Sequence, residues 1–488
     1  MSDQDRRVVR LYASLGSEID PPEVDDILTF AWDRHIHGRD LDRDRAVREG
    51  VWLFLQNLDP LGLAFDPLER ATLVQASGTR PDALAETIAR VRDEWNRTFP
   101  HQTRTFSQLA ERVIDCVFHR LDPHSSFFAK PEWENMTRSI TGEYSGIGIL
   151  LSHAEEPIVT EVFEGGPADG KLQRLDRIVA VDGKEVRGMS DEEYLGLIRG
   201  EAGTEVRLRI RRSHQTLEVP LKRRKMKARA VRRIEAGTGH DILVFRLWSF
   251  IDGSADQVAD AIRKAKKPLR GVVLDLRNNG GGTVDDAIAI VDLFIDRGLV
   301  ITERGRGVKE LEAEDDGAAL PENVPLIVLV NRFSASASEI TAGALRDHGR
   351  AVLMGEATYG KGTVQEIYRF GQRGAKVTVA RFYLPGGRST QIRGVTPDIA
   401  MEDAEARKVA EEAAAHGERL FEREYDNAVE ADAVPGDFRA GYDLSPLLAR
   451  LKGRLGSGGA ADPEVEASDV VLQEAVRILQ GEEPVPLE

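Results

Sequence analysis

The sequence predicts an α/β multidomain protein: a helical N-terminal region (1–135), a β-rich module (136–228), an α/β core on a mainly parallel sheet (229–400) and a helical C-terminal extension (401–488). Three observations carry that prediction. The first 135 residues place apolar side chains at three- and four-residue spacing, the helical period. GVVLDL, PLIVLV and AVLMG are short continuous apolar runs, the way strands buried on both faces of a parallel sheet read. Between these two regions, short strand-like segments alternate with glycine turns.

Composition limits the function classes. With 488 residues, 41% hydrophobic and 30% charged, the chain can hold several domains around sizeable cores and is neither disordered nor membrane-spanning in composition. A formal net charge of −16 argues against general affinity for nucleic acid. The single cysteine, Cys116, excludes an internal disulfide and lies on a helical apolar face, where a core thiol is expected. The opening MSDQDRRVVRLYASLGSEID holds no apolar run of signal-peptide length, and no stretch approaches a membrane span. The chain as written is therefore expected in the cytoplasm, or in the periplasm if the true start lies upstream.

In chain order, DDILTFAWDRHI, DRAVREGVWLFLQNL, DALAETIARVRDEW and FSQLAERVIDCVFHRL read as helices, with turns marked by Pro60, Pro67, Gly78, Pro81 and Pro100. They suggest a platform for docking or oligomerisation. His35 and His37 read as solvated residues at a helix end, and no ligand spacing supports a metal. From about Gly142 to Arg223 runs the β-rich module. Its opening Gly146-Ile147-Gly148-Ile149 is a glycine loop entering a strand, able to offer backbone N–H groups to a carboxylate while the strand edge pairs with an extended peptide. Ile147, Ile149 and Leu150 would supply an apolar floor for a terminal side chain. LKRRKMKARAVRR reads as a solvated connector, since a nucleic-acid patch would need interleaved aromatics. Past residue 400 come a charged helix, the linker GSGGAADPE and a closing amphipathic helix, none of which is assigned chemistry.

The most informative stretch is NRFSASASEITAGALRDHGRAVLMGEATYGKGTVQ, from Asn331 to Gln365. A buried strand meets SASASE, in which Ser336 is followed three residues later by Glu339, a helix-entry pattern. At a helix N-terminus, free N–H groups and the positive dipole end can stabilise an oxyanion, so Ser336 is well placed as a nucleophile. Downstream, Lys361 sits between two glycines that let the backbone turn its amine inward. A buried amine loses the hydration of its charged form, so its pKa falls and it can serve as a general base. Gln365, four residues on, would share its pleat face and orient it.

These segments resemble the signature of the C-terminal processing, or tail-specific, proteases. The resemblance covers roughly Thr105 to Ile399. It implies a serine endopeptidase with Ser336 as nucleophile, Lys361 as base and Gln365 completing the triad. GEYSGIGILL, GGPAD, DRIVAVDG and the helix that follows similarly resemble a PDZ domain, which implies substrates with free apolar protein C-termini. NNGGG resembles the family's turn that places a backbone N–H opposite the nucleophile; the implied oxyanion donors are Gly281 or Gly282, together with Ala337. Gly280 stands where the family usually has proline. No metal or organic cofactor is implied, and the helical termini are the candidates for homo-oligomer or adaptor contacts. Two rivals stand beside this reading. One is a non-catalytic PDZ scaffold. The other is a phosphate-binding loop, since Gly355 to Lys361 fits G-x-x-x-x-G-K, although Gly362 lacks the hydroxyl and the next residues alternate like a strand. His348 is placed too far along its helix to serve Ser336.

Overall fold

The computed structural model describes residues 18–481 except 39, 61, 79–81, 153–155, 164, 214, 238, 266–267, 315–319, 416–418, 420, 431–444, 455–464 and 466–468. The opening segment up to residue 17 and the linker GSGGAADPE lie outside the described residues. The chain divides into two compact units, one of residues 137–229 and the other of 1–136 with 230–488.

The larger unit is organised around a six-stranded sheet in the order Val231–Ala236, Ile242–Leu247, Gly271–Asp275, Leu326–Val330, Val352–Gly355, Ile399–Ala400. Its first pair is antiparallel and the rest are parallel. Parallel strands need crossovers that cover both faces, which explains the unbroken apolar runs. Val244, Val273, Ile327, Leu329 and Met354 join one cluster with Val471, Leu472, Ala475 and Val476 of the closing helix Val470–Leu479. The intervening Phe245, Leu274, Val328 and Leu353 are equally buried. The closing helix is therefore part of the core. Arg277, just past one strand, donates to Asp469 at the N-cap of that helix and to Asp275.

A second sheet pairs Arg373–Tyr383 with Thr363–Phe370, Ser126–Phe128 and Gly298–Arg304. The N-terminal helices pack against it: Phe127, Tyr368, Phe370, Ala375 and Val377 share one apolar cluster with Ile27, Leu55, Leu109 and Phe118. Phe30 meets the rings of Tyr368 and Phe370 edge-on at 4.8 and 5.3 Å. Pro67 opens the helix Pro67–Ser77 and does not mark a turn. Asp66 caps that helix reciprocally with Glu69, and a proline at its first position lacks only an N–H that would have no helical partner.

The smaller unit carries the sheet Ile149–Ser152, Ile158–Val162, Arg177–Val181, Glu205–Arg212, Gln215–Lys222 and the helix Asp191–Ile198. Within the basic run, Arg224–Lys227 is a strand paired with Glu143–Gly146, and Arg223 is buried on the carbonyls of Leu197, Ile198 and Glu205. That segment is paired structure, not a solvated connector.

Candidate active site

Three neighbouring strands end at Asp275, Val330 and Gly355, and the turns leaving their carboxyl ends converge, as sites in parallel sheets do. Asn278 and Asn331 lock the first two turns together: Asn278 N–H donates to Asn331 Oδ1 at 3.0 Å, and Asn331 Nδ2 to Asn278 Oδ1 at 2.9 Å. Asn279 adds its carbonyl, which accepts from Ala335 N–H at 3.0 Å and from the Ser338 hydroxyl at 2.8 Å.

Ser336 is the N-cap of the helix Ala337–Asp347, with φ 56° and ψ −114°. A non-glycine residue there stores roughly 1–3 kcal/mol of strain, and a sharp strand-to-helix turn of this kind lifts a side chain out of the fold. The three serines of the motif differ in their commitments. Ser334 donates to the Leu276 carbonyl at 2.8 Å, Ser338 to that of Asn279, and both are buried. Ser336 alone is half-buried, and its hydroxyl proton has no acceptor among the described residues.

Glu339 organises the rest. It is buried, and burial pushes its carboxyl up to about 7, against four hydrogen bonds that favour the ionised form. Oε2 accepts from the Ser336 and Lys361 N–H groups at 2.8 and 2.9 Å; Oε1 accepts from the Thr358 hydroxyl at 2.6 Å and Gly360 N–H at 2.9 Å. From the sequence Glu339 reads only as the partner in a capping box, and the bond it accepts from Ser336 N–H does form. Its reach to the lysine turn was missed, and nothing in local spacing announces it.

Lys361 is half-buried in a turn where Gly360 has φ +99° and a Cβ on Gly362 would lie 2.5 Å from Gln391 N. Desolvation, aided by the charge of Lys376, pushes the amine down to about 8, while Glu422, Asp122 and Glu339 pull the other way. Neither this amine nor the Ser336 hydroxyl proton bonds a described residue, so the two are not engaged with each other. Such contacts often tighten only on substrate binding.

Gln365 donates its amide nitrogen to Thr363 Oγ1 at 2.9 Å and Thr378 Oγ1 at 3.1 Å. Thr378 in turn donates to Asp122 Oδ1 at 2.9 Å. A carboxylate oxygen only accepts, so the threonine must receive from Gln365, which fixes the amide's flip and leaves its oxygen uncommitted among the described residues. The expected pleat-face relationship to Lys361 does not hold. The lysine precedes the strand, and the pairing shifts register between Val364 and Gln365. His35 also departs from expectation: it is buried, its ring 2.9 Å from Asp122 Oδ2. Burial pushes the Asp122 carboxyl up, but the His35 ring and the Ser125 hydroxyl outweigh it and hold the group well below the usual carboxylate range.

Among the oxyanion candidates, Ala337 N–H has no acceptor among the described residues. Gly281 abuts the nucleophile: a Cβ there would lie 2.9 Å from both Ser336 Cβ and Ala337 N, but its N–H donates to Asn279 Oδ1 at 2.9 Å. Gly282 is bridged to Phe250 and exposed, with an N–H that has no acceptor among the described residues. His348 is the helix C-cap and turns its ring to the Leu299 carbonyl. The turn after Gly355 runs into a strand, not a helix, so a phosphate-binding loop is contradicted.

In the smaller unit, Ile149–Ser152 pairs only with Ile158–Val162 among the described strands, leaving an edge. Gly146 and Gly148 are buried, the latter with φ +79°. Ile147 is not part of an exposed apolar floor: it is buried in the module's core, and Ile149 is packed partly against that core. Leu150 is 44% exposed.

Comparison with known proteins follows the same division. The peptidase family S41 profile matches residues 241–401 and a PDZ domain profile residues 158–212, so the Gly146–Leu150 loop lies ahead of the second match. A carboxy-terminal-processing protease of Bartonella bacilliformis is 34% identical over 396 residues, covering 77% of this chain and 83% of that protein. A probable CtpA-like serine protease of Staphylococcus haemolyticus is 33% identical over 305 residues, 61% of each chain. A solved photosystem II D1 C-terminal processing protease aligns over 74% of this chain and 94% of its own at 25% identity, with a TM-score of 0.39.

Proposed function

The chain belongs to the carboxy-terminal-processing proteases of peptidase family S41 and is a serine-type peptidase with a PDZ domain, and from that membership we propose that Ser336 is its nucleophile and Lys361 its general base. The observation that carries the assignment is the Glu339 carboxylate, which joins the backbone N–H groups of both residues on one oxygen. Ser336 Oγ attacks the peptide carbonyl while neutral Lys361 Nζ takes its proton. The negative charge falls on the carbonyl oxygen, facing Ala337 N–H and the Gly281–Gly282 turn. The ammonium then gives its proton to the departing amine, leaving an acyl-serine. Water hydrolyses that ester with Lys361 again as base. Gln365, its amide nitrogen tied to Thr363 and Thr378, offers its oxygen to hold the lysine. A scaffold without catalysis would leave the strained Ser336 backbone and the dry amine without a use.

The PDZ domain supplies the substrate class. The edge strand from Ile149 can pair with an extended peptide, the backbone of Gly146 to Ile149 can hold a terminal carboxylate, and Leu150 offers apolar surface. Substrates are accordingly proteins with free apolar C-termini. One peptide in free-acid and amidated forms, supplied below saturation, tests this. Faster cleavage of the free acid supports the reading, whereas equal rates would show that this loop reads no C-terminus. Inactive Ser336→Ala protein, assayed alongside, ties the cleavage to the site.

A further inference from the structure

We propose that Glu422, contributed by the C-terminal extension, is a positioning residue for Lys361, holding the lysine turn in place through Gln391 and being itself locked by His124. The inference rests on the assignment of Lys361 as base.

Glu422 begins a short 3₁₀ turn, Glu422–Glu424, and is fully buried although Arg423 and Glu424, which follow it, are charged. A buried carboxylate needs partners. One oxygen meets His124 Nε2 at 2.7 Å, and the other accepts from Gln391 Nε2 at 2.9 Å. Gln391 is buried as well, and its amide is fully spent: the nitrogen also reaches the Val429 carbonyl at 2.9 Å, and the oxygen accepts the Gly362 N–H at 2.7 Å. Glu422 N–H donates to the Tyr359 carbonyl at 3.3 Å. The turn Gly360-Lys361-Gly362 is thus gripped by two buried carboxylates. Glu339 takes its first two N–H groups directly, and Glu422 takes the third through Gln391. Gly362 has no slack, given the 2.5 Å approach of Gln391 N to any added Cβ.

The same carboxylate acts on the amine through space. The charged groups around Lys361 are Lys376, which lowers its pKa, and Glu422, Asp122 and Glu339, which raise it. His124 feels Lys361 in turn: burial lowers the ring's pKa, its bond to Glu422 opposes that, and the lysine charge lowers it further. Tyr359, raised by burial and by its bond to Tyr425, feels the charges of Glu422 and Glu424 as well. Replacing Glu422 with neutral glutamine removes one influence that favours the ammonium, so Lys361 loses its proton at lower pH.

The test is the pH dependence of kcat and KM for full-length protein on unfolded casein between pH 6 and 10. Glu422→Gln is expected to lower plateau kcat roughly three- to tenfold with KM within about twofold, and to move the rising limb to lower pH by about half a unit. A purely structural role would reduce kcat without moving that limb. Should Glu422→Gln fail to fold by urea denaturation, His124→Ala, which removes the lock and keeps the carboxylate, is expected to lower plateau kcat about threefold with the limb in place. A wild-type profile in the folded Glu422→Gln protein, or a lowered kcat with the limb unmoved, overturns the proposal, as does an unchanged kcat in His124→Ala. Lys361→Arg separates the two levels. If it is inactive while the Glu422 profile is wild-type, only this inference fails; if it is active, the assignment of the base fails with it.

Discussion

Glu339 Oε2 accepts the backbone N–H of Lys361 at 2.9 Å. The same oxygen accepts from Ser336, so one buried carboxylate fixes the spacing of two turns that leave different strands of the sheet. Four donors converge on a group whose burial works against its charge.

Replacing Glu339 with glutamine removes an acceptor oxygen and adds a donor where donors already crowd. Glu339→Gln should lose about 2–4 kcal/mol of stability and most proteolysis. The pH dependence has a definite sign. Burial raises the folded-state pKa from 4.5 to about 7, so this group's contribution is fully present below 4.5 and is lost as pH rises through 7. Urea unfolding at pH 5 and pH 8 should show a steeper loss in the wild type than in the variant. Equal slopes would show that Glu339 does not titrate there.

The three serines should separate cleanly. Ser336→Ala should fold with wild-type stability and cleave nothing, since its hydroxyl proton is uncommitted. Ser334→Ala and Ser338→Ala each remove a buried hydrogen bond and should cost about 1–3 kcal/mol while leaving measurable activity. Activity assays paired with urea midpoints decide, and a stability loss in Ser336→Ala comparable to the other two would contradict the division of roles.

What the sequence disclosed and concealed follows from range. The helix entry at Ser336 and the glycine turn at Lys361 were legible because cap and turn chemistry are local, and the apolar runs revealed the parallel sheet because burial on both faces leaves no alternation. Glu339 was legible as a cap, four residues of chain, but not as the partner of Lys361, 22 residues on. His35 read as solvated because Asp122, 87 residues away, is what makes its burial tolerable. Gln365, four residues past Lys361, would share its pleat face only in a regular strand, and the register shift at Val364/Gln365 breaks that regularity. The C-terminal extension carried no recognisable motif, yet its closing helix covers the sheet and Glu422 reaches the lysine turn.

Thr378 tests how Gln365 is held. Thr378→Val keeps the shape but removes the oxygen that accepts from Gln365 and the hydroxyl that donates to Asp122. It should lower kcat about tenfold with KM unchanged, and Thr378→Ser should restore most of it. A Thr378→Val enzyme with wild-type kcat would mean that Gln365 needs no such support.

The central claim is that a neutral Lys361 amine draws the proton from Ser336, and the pH profile of kcat in wild-type and Lys361→Arg proteins tests it most directly. Desolvation and Lys376 hold the amine at about 8, so wild-type kcat should rise through a midpoint near that value to a plateau above it. Arginine keeps the charge but loses no proton in this range, so Lys361→Arg should be inactive at every pH while folding normally. A wild-type profile flat from pH 6.5 to 9.5, or a Lys361→Arg enzyme turning over at near-normal rate, would contradict the account.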